Sequence, residues 1–322
     1  REDCEIVLTQ VGELAKKHGA IIINGGDTFN TRGLIRTGCF DTLAYHYSRW
    51  MSERLQQVIL VGNHDQEDKA GKIHPMRVFD APESSWGVVS EPVVIYGIAF
   101  FPYMPREEIR PAIKRLLPLA SLGVAVVHWG IQGADMNDWV KDTDGVPVEW
   151  LKGFKQVFSG HYHHRNAFEN VTYIGSPMQQ SFAEKDQAKG VILFDSKTMS
   201  SRFIEIQGTS KHYEFVVKWD EDGKMKVTGP AVEVKPKDFV KFKVEGGSEM
   251  CRKFSVEQVS KKFISDNVKI ERNITEKTQS RLKISLTEDT SSVVNKYVEF
   301  VDTPLDKKRL MKTFQEISNA PK

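Results

Sequence analysis

The chain has 322 residues, of which 40% are hydrophobic and 27% charged, and its formal net charge at pH 7 is +2. This length suits about two domains, and no apolar run reaches the roughly eighteen residues of a membrane-spanning helix. Three scattered cysteines, Cys4, Cys39 and Cys251, exclude a disulfide framework and a thiolate metal site, and they indicate a reducing cytosol.

Four apolar segments with strand character each run into a short polar turn. A helix over 5–17, which Gly19 ends, precedes the first strand at 21–23, and a helix over 40–55 precedes the second at 57–61. The third and fourth strands cover 124–127 and 156–158. Strands that alternate with helices predict an α/β fold in which a sheet is covered on both faces. Ligands of such sheets gather beyond the strand ends.

The remaining segments predict a change of architecture after about residue 208. Closing strands of the first domain are followed by a small α+β part, in which Ser255 begins a capping box and a helix to about 264. Thr303 and Pro304 open a last helix. We expect a catalytic domain over 1–207, a small α+β domain over 208–290 and a C-terminal helical segment over 291–322. The other predicted strands are 191–194, 202–206, 213–219, 225–234, 239–244, 268–270 and 282–286.

The polar turns carry a set of side chains that suits divalent metals. They supply one Asp, an Asn-His pair, an isolated His and a His-x-His, which are the oxygen and imidazole ligands that Mn, Fe or Zn accept. Two such cations, about 3.5–4 Å apart and bridged by one carboxylate, activate water and neutralise charge when a phosphodiester is hydrolysed. We therefore expect the side chains of these turns to converge at one end of the sheet.

These turns also carry a specific resemblance. Gly26-Asp27, Gly62-Asn63-His64-Asp65, His128 and Gly160-His161-Tyr162-His163 match, in order, the later motifs of the calcineurin-like metallophosphoesterase superfamily. Within it, residues 1 to about 207 resemble the SbcD nuclease family, particularly its phage-encoded members. The resemblance implies a metallophosphoesterase β-sandwich flanked by helices, with a smaller α+β capping domain on the C-terminal side. Supporting positions are Thr28, Phe29, 31–33, Gln66, Gly71, His74, 127–129 and 173–177.

The resemblance also implies a role for each residue of the site. Asp27 would bridge two divalent ions, Mn first among Mg, Fe and Zn. The other metal ligands would be Asn63, His128 and His161 for one ion and His163 for the second. The imidazole of His64, oriented by Asp65, would face the scissile phosphate and stabilise or protonate the leaving oxygen.

The implied function is a DNA exonuclease and endonuclease that acts in repair and recombination. Its implied partners are DNA, a coiled-coil ATPase of the SbcC type and a second copy of the chain, in the cytoplasm of a cell or of a phage host. Residues 211–322 contain 23 Lys and Arg against 18 Asp and Glu, a basic balance that suits phosphates. Two alternatives stay open: a phosphoesterase for small molecules, and an inactive scaffold that binds DNA or a partner.

Two departures from the family pattern bear on activity. The superfamily's first motif, an Asp-x-His after the first strand, is absent from the sequence, which leaves one metal with only Asp27 and His163. The sequence lacks an initiator Met, and we expect the native start to lie upstream. Asn30 stands where an acidic residue or His often follows the Gly-Asp motif.

Three groups of residues have open interpretations. Alternating lysines on a predicted strand could contact backbone phosphates or could protect a sheet edge from pairing. Trp129 could form a wall of the site or stack on a base. Aromatic residues of the second helix could serve a dimer or the core. The lysines are Lys235, Lys237, Lys241 and Lys243, and the helical aromatics are Tyr45, Tyr47 and Trp50.

Overall fold

The computed structural model describes residues 1–32, 34–67, 73–80, 86–136, 140–220, 222–259, 265–274, 290–301 and 306–318. The chain divides into two units. The first contains 1–215, 228–242 and 259–270, and the second contains 216–227, 243–258 and 271–322. None of the described helices combines the length and the apolarity that crossing a bilayer requires. The expected division at 207 and 290 stays a prediction.

The first unit begins with a parallel three-stranded sheet and two helices. Gly19 ends the first helix in the left-handed conformation that favours glycine, at φ 57°, as the sequence predicts. The strands pair in the order β1-β2-β3. The elements are α1 (Glu2–His18), β1 (Ile22–Asn24), α2 (Thr37–Ser52), β2 (Gln57–Leu60) and β3 (Trp86–Val89).

A second sheet of six strands follows, in the order β4-β5-β6-β7-β9-β8. Its central strands are parallel, and antiparallel β4 and β8 form its two edges. Its elements are β4 (Val93–Ile95), β5 (Ile98–Phe101), α3 (Arg106–Leu116), β6 (Val124–Val127), β7 (Gln156–Ser159), β8 (Asn166–Phe168) and β9 (Val171–Tyr173).

The two sheets stack on each other, and helices cover their outer faces. In β6, Val126 packs into a core shared with Leu60 of β2, whereas Ala125 packs on the other face with α3. In β2, the neighbouring Ile59 faces a core that contains Trp50 of α2. Because successive strand residues point to opposite faces, strands buried on both faces are apolar throughout. This arrangement confirms the predicted α/β class and the sandwich flanked by helices.

Beyond a hairpin over 190–205, the remaining strands and helices have α+β character, as predicted. The hairpin β10-β11 is antiparallel, and the following strands form a sheet in the order β13-β12-β14-β15. These elements are β10 (Gly190–Asp195), β11 (Ser200–Glu205), β12 (His212–Trp219), β13 (Met225–Thr228), β14 (Phe239–Gly246), α4 (Ser248–Lys253), β15 (Asn267–Ile274), α5 (Thr290–Phe300) and α6 (Lys307–Ser318).

Several predicted boundaries in this part differ from the structure. The strand predicted over 225–234 ends at Thr228, because Gly229 and Pro230 interrupt it. The capping box at Ser255 opens only a short 3₁₀ turn, Val256–Gln258, among the described residues. The rest of that predicted helix (260–264), the predicted strand 282–286 and the predicted helix start at 303–304 lie outside the described residues.

Candidate metal centre

Four side chains of the site follow four strand ends, two from each sheet. Asp27 and Asn63 lie beyond β1 and β2, and His128 and His161 lie beyond β6 and β7. Ligand atoms of Asp27, His128 and His161 all lie within 4.8 Å of one another. The structure therefore brings these residues together as expected, but at the junction of two stacked sheets instead of at the end of one.

The distances around His128 match those around a bound cation. Its Nε2 lies 3.1 Å from Asp27 Oδ2, 3.1 Å from Asn63 Oδ1 and 3.3 Å from His161 Nδ1. Ligand atoms that surround one metal at about 2.1 Å in tetrahedral or octahedral geometry are about 3.0–3.4 Å apart. The ligand atoms of Asp27, Asn63 and His161 thus lie at the distances from His128 Nε2 that a metal ligand set has.

The hydrogen-bonding groups around His128 Nε2 also suit a positive charge among them. His128 Nδ1 lies 2.6 Å from the carbonyl oxygen of Gly25, which can only accept, so Nδ1 carries a proton. Nε2 then faces the oxygens of Asp27 and Asn63, which are acceptors as well. A positive group between these atoms would relieve their repulsion, because buried acceptors that face one another are unfavourable. A divalent cation fits this position.

The pKa shifts of two residues favour metal binding. Burial raises the pKa of the Asp27 carboxyl, but hydrogen bonds with His128 and the backbone N–H of His64 outweigh it and hold the pKa below its usual value. Burial and the neighbouring His128 lower the pKa of His161 to about 4. At neutral pH the carboxylate is therefore ionised and the imidazole neutral, which is the state that metal ligands need.

Close approach of the loops depends on glycine. A Cβ added at Gly62 would overlap the carboxylate oxygen and the backbone nitrogen of Asp27, and a Cβ at Gly160 would overlap the carbonyl oxygen of Gly25. Gly26 adopts φ 96° and Asp27 φ 55°, a conformation that aspartate tolerates better than most residues. The glycines of the motifs let loops from both sheets meet.

We expect Gly62→Ala to disrupt the site, because backbone atoms of Asp27 cannot move away cheaply. The free energy of unfolding should fall by about 1–3 kcal/mol, as overpacking typically costs, and metal affinity should fall with it. Gly38→Ala in α2 is the matched control, since its added Cβ would meet only Arg1 Cδ, at 3.9 Å. Chemical denaturation and metal titration of both variants test this. Unchanged metal affinity in Gly62→Ala would show that the close approach of Gly62 to Asp27 is not needed for metal binding.

His64 is exposed beside the cluster, and its backbone is tied to it. Its N–H donates to Asp27 Oδ1 at 2.8 Å, and its ring Nδ1 lies 2.8 Å from the carbonyl oxygen of Asn30. That oxygen only accepts, so Nδ1 carries the proton and Nε2 is the nitrogen that can exchange one with a substrate. The contact uses the backbone of Asn30, and a different side chain there would preserve it.

The contacts of Asp65 correct the expected orientation of His64. The Asp65 carboxylate accepts hydrogen bonds from the backbone N–H groups of Phe29 and Gly62, at 3.0 and 2.9 Å. Burial raises the pKa of this carboxyl to about 6. Asp65 thus joins the loop after β1 to the loop after β2, and the described contact that orients the His64 ring comes from Asn30. A catalytic role for Asp65 stays a prediction.

His163 is not one of the three clustered residues, and it contacts a residue that no motif marks. Its Nδ1 lies 3.1 Å from Glu184 Oε1, and Lys189 pairs with the other carboxylate oxygen at 2.8 Å. Burial raises the pKa of Glu184, but His163 and Lys189 lower it more, to about 2. Ser176, in the family-like segment 173–177, lies with its Oγ 3.4 Å from the Glu184 carboxylate. This segment is the one sequence feature that points towards Glu184. Metal binding by His163 stays a prediction.

The lysines predicted to bind DNA do not form one alternating face of a strand. Lys235 and Lys237 precede β14, in a turn that the Asp238 N–H closes on the carbonyl of Lys235. Lys237 pairs with Glu2 at 3.1 Å, and Lys241 pairs with Glu214 at 2.7 Å, over the ring of Phe182. Lys237 and Lys241 would have to leave these contacts to bind phosphates. DNA binding by Lys235, Lys237, Lys241 and Lys243 stays a prediction.

The structure distinguishes between the open interpretations of the aromatic residues. Trp129 is buried, and its indole N–H donates to the carbonyl of Pro102 at 2.9 Å, so it cannot stack on a base from there. Tyr47 and Trp50 belong to the core under α2, whereas Tyr45 is 61% exposed. Only Tyr45 of these three is available to a second chain.

No family model matches the chain, but curated proteins do. Exonuclease subunit 1 of Enterobacteria phage T4 is 27% identical over 236 residues, which cover 66% of this chain and 65% of the relative. DNA double-strand break repair protein Mre11 of Sulfurisphaera tokodaii is 23% identical, over 60% of this chain and 54% of the relative. The SbcD subunit of nuclease SbcCD from Staphylococcus epidermidis is 21% identical, over 64% of both.

These relatives carry the names of nuclease and repair proteins, and the resemblance to SbcD-type nucleases predicted from the motifs is confirmed. The chain spans slightly more than half to about two thirds of their length, from 54% to 65%. Part of each relative's length is therefore unmatched by this chain.

Proposed function

We propose that this chain is a metal-dependent DNA nuclease, the phosphodiester-cutting subunit of an SbcCD-like complex that acts in DNA repair and recombination. The observation that carries the proposal is the meeting of Asp27, His128 and His161, with ligand atoms within 4.8 Å. Asn63 adds an oxygen at 3.1 Å from His128. The nuclease and repair names of three relatives support DNA as the substrate class.

In this proposal the chain's residues divide the chemistry among them. Asp27, Asn63, His128 and His161 hold one divalent ion, and Asp27 and His163 contribute to a second. The bound ions, Mn first among Mg, Fe and Zn, supply an activated water and neutralise charge on the phosphate. The His64 ring in its doubly protonated form donates the Nε2 proton to the leaving oxygen, while the carbonyl of Asn30 holds its Nδ1–H.

Metal titration of a polypeptide of residues 1–322 tests the ligand assignment. We expect one Mn²⁺ to bind tightly, because four protein ligands hold it, and a second to bind only at high concentration, because Asp27 and His163 alone hold it. Calorimetry gives the number of sites and their affinities. Two equally tight sites would contradict the assignment.

The same titration, read alongside hydrolysis assays, separates the alternative functions. In a chain that also carries an upstream Asp-x-His, we expect metal-dependent cleavage of DNA that is faster than hydrolysis of cyclic nucleotides or phosphomonoesters, whereas residues 1–322 alone should bind DNA with little or no cleavage. Faster hydrolysis of the small substrates would favour a small-molecule phosphoesterase. DNA binding without cleavage at saturating metal, in a chain that also carries an upstream Asp-x-His, would favour an inactive scaffold.

The proposed complex includes a coiled-coil ATPase of the SbcC type and a second copy of this chain, in the cytoplasm. Exposed Tyr45 on α2 offers a surface for the homodimer, and exposed Tyr297 and Phe300 on α5 offer one for the ATPase within the predicted segment 291–322. Light scattering of the purified chain tests the dimer, which a monomer at high concentration would contradict. Co-purification with the ATPase tests the second surface, and its failure with intact α5 would contradict it.

A further inference from the structure

Glu184 lies at the centre of a nearly closed set of hydrogen bonds. It is 7% exposed and Lys189 is 2% exposed. Oε2 of Glu184 accepts from Lys189 Nζ at 2.8 Å and from the backbone N–H of Gln180 at 3.2 Å, and Ser176 Oγ lies 3.4 Å away. Oε1 faces His163 Nδ1 at 3.1 Å. Each carboxylate oxygen therefore has an assigned partner.

These contacts determine where the proton of His163 lies. A carboxylate beside a lysine ammonium accepts hydrogen bonds and has none to donate. His163 must then carry its proton on Nδ1 in the neutral ring, which leaves the lone pair on Nε2. An imidazole binds a metal only through a nitrogen that has its lone pair available.

The neighbouring histidine has the opposite arrangement, set by the same lysine. Lys189 Nζ also donates to Gln187 Oε1 at 3.0 Å, so the amide nitrogen of Gln187 faces His164 Nδ1 at 2.8 Å. An amide nitrogen donates, so His164 accepts at Nδ1 and carries its proton on Nε2 when neutral. Two adjacent histidines thus differ in which ring nitrogen holds the lone pair.

We propose that Glu184 is the positioning residue of His163: it fixes the proton on Nδ1 and presents Nε2 to a divalent cation, whereas Gln187 gives His164 the opposite tautomer. The statement about tautomers stands on the hydrogen bonds alone. Its metal-binding half rests on the proposed function, in which His163 is a ligand. Removal of such an outer carboxylate typically weakens metal affinity by about 10–100-fold.

Glu184→Gln tests the proposal with almost no change of shape. Lys189 and the Gln180 N–H only donate, so the remaining oxygen of the new amide must face them and its NH₂ group must face His163. His163 then has to accept at Nδ1 and move its proton to Nε2. Nitrogen-15 NMR of the imidazoles at mildly alkaline pH identifies each tautomer directly, and His163→Gln assigns the resonance among the nine histidines.

We expect the Nδ1–H tautomer for His163 in the wild type and the Nε2–H tautomer in Glu184→Gln. Gln187→Leu is the matched control from the same cluster, and it should leave His163 unchanged while it alters His164. Glu184→Asp, which keeps an acceptor, should recover the Nδ1–H form in part. An Nε2–H tautomer in the wild type overturns the proposal even if no variant folds.

Zinc, which is diamagnetic, then reports binding at the same resonance. The Zn²⁺ concentration that shifts His163 Nε2 should rise about 10–100-fold in Glu184→Gln and stay unchanged in Gln187→Leu. An equal response of both variants would reduce Glu184 to a structural role and overturn the positioning role. If the tautomer changes as expected but Zn²⁺ never perturbs His163, the inference about Glu184 holds and the proposed function loses His163 as a ligand.

Discussion

Asp27→Asn is expected to abolish tight metal binding while it leaves the fold intact. Asparagine also tolerates the left-handed backbone at this position, where φ is 55°. Its oxygen can keep the hydrogen bond from the His64 N–H, and its amide can donate to His128 Nε2, 3.1 Å away. The variant therefore puts a hydrogen bond in the place of the proposed cation.

The expected losses are large. The charge stabilisation that a cation gives is worth several kcal/mol, and each 1.4 kcal/mol or so is about tenfold, so affinity and cleavage rate should each fall about a thousandfold or more. Without metal, the variant should unfold at the same temperature as the wild type or a higher one. The reason is that the Asp27 carboxylate and His128 Nε2, two acceptors that face each other in the wild type, no longer repel. Asp41→Asn, which alters an exposed pair with Arg1, is the control. Wild-type Mn²⁺ affinity in Asp27→Asn would show that Asp27 is not a ligand.

In a full-length chain that cleaves DNA, His64→Ala should show the opposite combination, with normal metal binding and slow turnover. The His64 side chain is exposed and contacts the Asn30 carbonyl, and only its backbone N–H touches Asp27. Alanine keeps that N–H. Proton donation by a positioned group typically contributes about 10²–10⁴-fold in rate, and we expect a loss of that size.

Elemental analysis and single-turnover cleavage distinguish binding from chemistry in this variant. His64→Gln should be equally slow, because glutamine can occupy the space but cannot transfer a proton at neutral pH. His18→Ala, at the exposed end of α1, is the surface control. Loss of metal from His64→Ala would place His64 in the metal site and would require a new assignment of the leaving-group donor.

The sequence predicts the metal-centre residues better than the architecture that positions them. Glycine next to Asp27, Asn63 or His161 is a local pattern that the sequence shows, but the close approach of loops behind it is seen only in the structure. The stacking of two sheets was expected only from the family resemblance, because the strand pattern alone does not reveal it. A strand such as β2 is apolar on both faces in either of two arrangements. Helices can cover both faces, or a helix can cover one face and a second sheet the other.

The contacts around the site were harder to predict, for two physical reasons. Glu184 lies 21 residues after His163 in the chain, and no periodicity joins them. Asn30 acts through its backbone oxygen, so its side chain carries no signal. Asp65, adjacent to His64, was expected to orient it, but the chain turns the Asp65 carboxylate towards the N–H groups of Phe29 and Gly62 instead.

The junction of the two sheets gives a bound ion a mechanical consequence. His128 already reaches Gly25 across 103 positions of the chain, and the other ligands lie on both sides of the same seam. An ion there would act as a removable cross-link, and a link that closes so long a loop restricts the unfolded chain strongly. An ion that binds only the folded state also raises the free energy of unfolding by mass action. Hydrogen exchange in β1 and β2 should therefore slow together with exchange in β6 and β7 when metal is added, because the same ion links both sheets.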